Sequence, residues 1–202
     1  MEGTIAADGH VAASNSDDDA KVRLGMRFYV ITDMIFVAFL LVTYIWLRGY
    51  NTNSGWFPPG TKLPDSTTSN VLTILVVLSA VSYFVGYSGI RRDNQMQLRV
   101  GSLVALLLLL VALIGQIRFM GQFPFTSTGG SFASTFIMLS GYHVYHMLIA
   151  LFLGLGLTHR AFRGRYSRER MLGVITIGYF WYWTAAFPVL TWLLMLFLSP
   201  KV

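Results

Sequence analysis

Five apolar stretches, each close to twenty residues or longer, leave this 202-residue chain few ways to fold. A run of that length crosses the ~30 Å hydrocarbon layer as a helix, because lipid offers no partner to an unpaired backbone N–H or C=O. The sequence therefore predicts an all-α polytopic membrane protein with helices over about 22–47, 71–90, 100–118, 132–159 and 171–198. Composition agrees: 54% of residues are hydrophobic and 12% charged, more apolar than a soluble domain requires. Residues 1–21 are small, polar and acidic, with Asp17, Asp18 and Asp19 in succession. They read as a mobile tail ahead of a transmembrane domain over 22–202. The first twenty residues hold no apolar core, so no cleavable signal peptide is expected.

Charge then orients the bundle. The chain carries 15 Lys and Arg against 9 Asp and Glu. In a soluble chain that excess would suggest nucleic acid; here the basic residues sit in short loops, so a nucleic-acid partner is not expected. Lys21, Arg23, Arg27, Arg91, Arg92, Arg99 and the five arginines of 160–170 fall on the side of the tail. Arg48, Lys62, Arg118 and Lys201 fall on the other. The positive-inside rule puts the N-terminus in the cytoplasm, and five crossings put the C-terminus outside. Cysteine is absent, which removes thiolate metal sites and disulfides.

Three ionisable residues stand inside the apolar runs: Asp33 in the first, His143 and His146 in the fourth. An Asp at the centre of a membrane helix costs about 2.5–3.5 kcal/mol on insertion scales, so it must be protonated, paired or near an interface. The histidines, three residues apart, share a helix face. At about 1.5 Å per residue, Asp33 lies roughly 9–15 Å from the cytoplasmic surface and His146 roughly 16–20 Å, about one turn from overlap. Two readings stay open: a buried Asp–His network, or polar groups satisfied separately by nearby Ser, Thr, Tyr and backbone. A sandwiched haem needs histidines on facing helices, and a metal needs three or four converging ligands, so neither fits this set. Trp56-Phe57-Pro58-Pro59-Gly60 marks an irregular interfacial loop. The aromatics of the last helix, Tyr179 to Trp183, read as belt and packing residues, and Gly154 and Gly156 as helix-packing glycines. No nucleophile–base pair, phosphate loop or inverted repeat stands out.

In order, Leu24-Gly25-Met26 leads into Thr32-Asp33; Trp56, Pro58, Pro59 and Gly60 follow, then Phe136 and Ser140-Gly141-Tyr142-His143 with His146. Arg163-Gly164-Arg165-Tyr166 then precedes a Trp/Tyr-rich last helix. This order resembles subunit III of haem–copper terminal oxidases, in its short five-helix form, from residue 22 to the end. The resemblance implies a subunit without haem or copper of its own, those cofactors lying in partner subunits. It implies packing on oxidase subunit I, with subunit II in the complex, in a prokaryotic inner membrane and within reach of respiratory supercomplexes. It also implies phospholipid bound in an interhelical cleft and support of proton uptake and sustained turnover during oxygen reduction. The family's intramembrane acid carries over to Asp33 and its histidine pair to His143 and His146. Two family carboxylates do not carry over: none stands in Trp181-Tyr182-Trp183-Thr184-Ala185, and Arg118-Phe119 replaces the acid near the end of the third helix, although Gln116 matches. The alternatives are a subunit III-like partner of a nitric oxide reductase, or a small proton-coupled permease.

Overall fold

A computed structural model describes the backbone of residues 2–50, 56–57, 60 and 62–198, and the side chains of 17–50, 56–57, 60 and 62–195. Five helices follow one another, and among the described residues there is no strand: α1 (Glu2–Tyr50), α2 (Ser66–Arg91), α3 (Gln95–Met120), α4 (Ser131–Phe162) and α5 (Leu172–Leu198). All five are long and apolar enough to cross a bilayer. The side chains of residues 1–16, to which most of the tail expectation refers, lie outside the described residues, as do Pro58 and Pro59.

α2 and α3 begin a turn or more ahead of the apolar runs inside them, because polar residues cap them. The Asp65 carboxylate accepts the backbone N–H groups of Thr67 and Thr68, and Asn94 accepts that of Gln97. Both satisfy donors that a helix start leaves unpaired. Asp93, at φ 58°, takes the left-handed conformation in the tight turn joining the two helices. Just past the end of α4, Gly164 turns the chain: its φ of 65° suits glycine and its N–H returns to the Ala161 carbonyl at 3.0 Å.

The bundle is not evenly packed. α2 and α3 form an antiparallel hairpin in which Gly86 and Gly101 bring the backbones together. A Cβ on Gly101 would sit 2.6 Å from the Gly86 Cα, so only glycine fits there. α3 leans on α4, and α5 touches α1, α2 and α4. α1 meets only α4 and α5 among the described residues. It buries a single stripe, Val30, Asp33, Val37 and Tyr44, while Phe28, Ile35, Phe39 and Trp46 face outward, as lipid-facing residues do. Trp56, in the loop after α1, is buried between Tyr44 and Phe132, and its carbonyl accepts the Phe132 N–H at 3.0 Å.

Candidate functional site

The stripe on α1 carries one polar residue into the bundle. Asp33 is 9% exposed and receives three donors from two other helices. The Tyr142 hydroxyl of α4 donates to Oδ1, and the Trp183 indole N–H of α5 donates to Oδ2. His146 Nε2 of α4 meets the same Oδ2 at 2.7 Å. His146 is fully buried, with its imidazole lying nearly parallel to the rings of Phe180 and Phe187 at 5.7 and 5.9 Å.

The hydrogen bonds fix how many protons the pair holds. His146 Nδ1 lies 2.8 Å from the Tyr142 carbonyl, which can only accept, so Nδ1 carries a hydrogen. The Nε2–Oδ2 contact needs a second proton between the two atoms. Whether that proton sits on nitrogen or oxygen, Asp33 and His146 together carry no net charge. That is how the bundle accommodates a carboxylate at this depth: an isolated ion would be costly, whereas a neutral pair with every polar atom bonded is not. Asp33 and His146 thus bond to each other directly, while Tyr142 and Trp183 take up the rest of the carboxylate.

His143 takes a different place. It is 6% exposed, stands against Phe187 with 5.4 Å between ring centres, and makes no hydrogen bond to Asp33. Its ring lies beside the backbone carbonyl of Thr184. Pro188, one turn further along α5, has no N–H to offer that carbonyl. Three residues turn a helix through about 300°, so the histidines point about 60° apart. That is enough to send one toward α1 and the other away from it.

Tyr142 and Trp183 are site residues that sequence reasoning passes over. Tyr142 sits one turn before His146, and that spacing was a usable signal. Trp183 lies in an aromatic run where belt residues and hydrogen-bond donors look alike. Two residues before it, Trp181 builds a second junction. Its indole N–H donates to Ser79 Oγ of α2 at 3.0 Å, and Ser79 Oγ donates to the Ala105 carbonyl of α3 at 2.9 Å. Trp181 also stacks on Tyr83 and presses against Gly154, where a Cβ would lie 2.6 Å from its ring. Tyr83 returns to α5 through a 2.7 Å hydrogen bond to the Val174 carbonyl. Among the described residues no three His, Cys, Asp or Glu side chains converge as a metal would need.

Five membrane-length helices tied by two internal polar junctions define a multi-pass membrane protein. The family model of cytochrome c oxidase subunit III matches residues 2–199. A cytochrome c oxidase subunit 3 of Thermostichus vulcanus is 24% identical over 98% of this chain and 99% of its own length. One from Synechocystis sp. is 25% identical over 86% of this chain and 74% of that protein. A haem-copper oxidase subunit I+III of Aeropyrum pernix is 21% identical over 84% of this chain, the match taking up 22% of that much longer protein. The chain belongs to the cytochrome c oxidase subunit III family.

Proposed function

We propose that the chain is the non-redox subunit III of a respiratory haem–copper terminal oxidase, reducing oxygen with electrons from cytochrome c or quinol. It packs on subunit I in a prokaryotic inner membrane, with its N-terminus cytoplasmic, and haem and copper reside in its partners. The Aeropyrum relative, named as subunits I and III in one protein, supports that neighbour, since two functions joined in one chain are held side by side. The cyanobacterial relatives and the bias of Lys and Arg toward one end of the bundle support the membrane and the orientation. Phospholipid held in an interhelical cleft, proton uptake and sustained turnover belong to the same reading.

The observation that carries a mechanism is the neutral Asp33–His146 pair with its Tyr142 and Trp183 donors. The pair fixes α1 to α4 and α5, so the outer surface of the bundle keeps one shape for a partner. Asp33→Ala removes the acceptor for three donors at once and lets α1 move. The expected outcome is an oxidase that keeps its haem spectrum but loses this subunit on purification or inactivates sooner during turnover. Unchanged recovery of the subunit together with an unchanged active lifetime would refute the role.

A further inference from the structure

A cavity of about 330 Å³ lies between α2, α3, α4 and α5, and none of its lining residues belongs to α1. It starts where α2 and α4 begin, at Asp65 and Phe132, and runs inward to Ser140 and His143. At about 1.5 Å per residue, Ser140 stands roughly 14 Å inside α4, close to half the ~30 Å hydrocarbon thickness. Polar side chains occur along that whole length: Ser66, Ser69 and Thr73 on α2, Gln116 on α3 and Ser140 on α4.

These groups select what fills the space. The Gln116 carboxamide and the Ser69 and Ser140 hydroxyls bond to no other group among the described residues, yet their polar atoms are not enclosed by protein. An acyl chain in the cavity would leave all three with an unmade bond. An anion would meet no Lys or Arg in the lining and one carboxylate, Asp65. A single polar solute would need the polar groups gathered at one point, and they are spread over three helices and two turns of α2. Water meets every condition. The volume holds about ten molecules at ~30 Å³ each, bonded to one another and to these side chains. Polar residues at such depth in a membrane protein characteristically face a water-filled cavity.

The cavity also has a floor. Phe187 lines it and stacks on the His146 imidazole, 5.9 Å away and within 11° of parallel. His146 itself is fully buried. One aromatic ring therefore stands between the cavity and the neutral Asp33–His146 pair.

We propose that this cavity is a water-filled inlet that penetrates half of the bundle and stops at Phe187, whose ring keeps water from the Asp33–His146 pair. The inlet does not depend on the oxidase assignment. The chain has no cysteine, so single cysteines report on it directly. Thr73→Cys and Ser140→Cys place a thiol in the inlet; Ile74→Cys and Val111→Cys place one on exposed apolar faces of α2 and α3 at similar depth. The full-length variants, in native membranes opened on both sides, are treated with a negatively charged, membrane-impermeant methanethiosulfonate. The inlet thiols should react at least about ten-fold faster than the lipid-facing ones, the loss of thiolate for each pKa unit that apolar surroundings add. Equal rates for the two sets would overturn the inlet. Thr184→Cys, buried one turn further along α5, should resist the reagent until Phe187→Ala is added, while Val111→Cys stays slow in the same background. A Thr184→Cys thiol that reacts with Phe187 in place, or stays inert without it, would overturn the seal, as would a Val111→Cys thiol that speeds up equally.

Discussion

Two tryptophans two residues apart on α5 hold opposite sides of this bundle, and they do it with different chemistry. Two residues turn a helix through about 200°, so Trp181 and Trp183 face away from each other. Trp181 reaches a serine hydroxyl that passes the bond on to a backbone carbonyl of α3. Trp183 reaches a carboxylate that also holds an imidazole and a phenol. The Ser79 junction is neutral in every state and is backed by the glycine contact of α2 on α3 and by Tyr83 stacked on Trp181. The Asp33 junction is neutral only while Asp33 and His146 are together, and α1 has one narrow stripe besides. A helix with abundant close packing can be tied by a weak polar bond. A helix with little packing relies on a strong one.

Substitutions on each side test that contrast. Asp33→Ala leaves His146, Tyr142 and Trp183 without their acceptor, and should weaken the docking of α1 by about 3–5 kcal/mol, as breaking a buried pair does. Limited proteolysis in detergent should then cut near α1 while α2–α5 stay protected; unchanged protection of α1 would end the contrast. Trp183→Phe removes one bond to the carboxylate and should cost about 1.5–3 kcal/mol. Trp181→Phe removes a neutral bond and keeps the stacking surface, and should cost about 0.6–1.5 kcal/mol. Unfolding of the two variants in the same detergent ranks them, and a larger loss for Trp181→Phe would reverse the account.

The smallest effect is expected outside the membrane. Bonds from the Thr68 hydroxyl and backbone hold the Asp65 carboxyl below its ordinary value. A depressed folded value means that the cap stabilises α2 above the unfolded carboxylate pKa of about 3.9 and fades as pH falls through the folded value. Amide exchange at Thr67 and Thr68 should quicken over that acid range, and Asp65→Asn, which caps without ionising, should remove the pH dependence.

The five helices were legible because apolar length is a one-dimensional signal. Their starts were less so, since Asp65 and Asn94 extend α2 and α3 into polar sequence through capping bonds that hydropathy does not register. Contact between Asp33 and His146 was within reach of a depth estimate, but the choice between two histidines depends on rotation about α4. Sequence spacing placed them on one face, and both rings rest on Phe187; only His146 bonds to Asp33, while His143 lies beside the Thr184 carbonyl. Trp183 stayed hidden because an indole is equally at home in a lipid belt and on a carboxylate.

The partners of Asp33 are far along the chain, 113 residues away for His146 and 150 for Trp183. During synthesis α1 thus leaves the ribosome with a bare carboxylate and waits while four further helices are made. Until α4 and α5 arrive, that acid must stay protonated or linger at the edge of the insertion machinery. α5 supplies the Trp183 donor that completes the shell around Asp33, so a chain truncated before α5 would leave α1 exposed to membrane quality control.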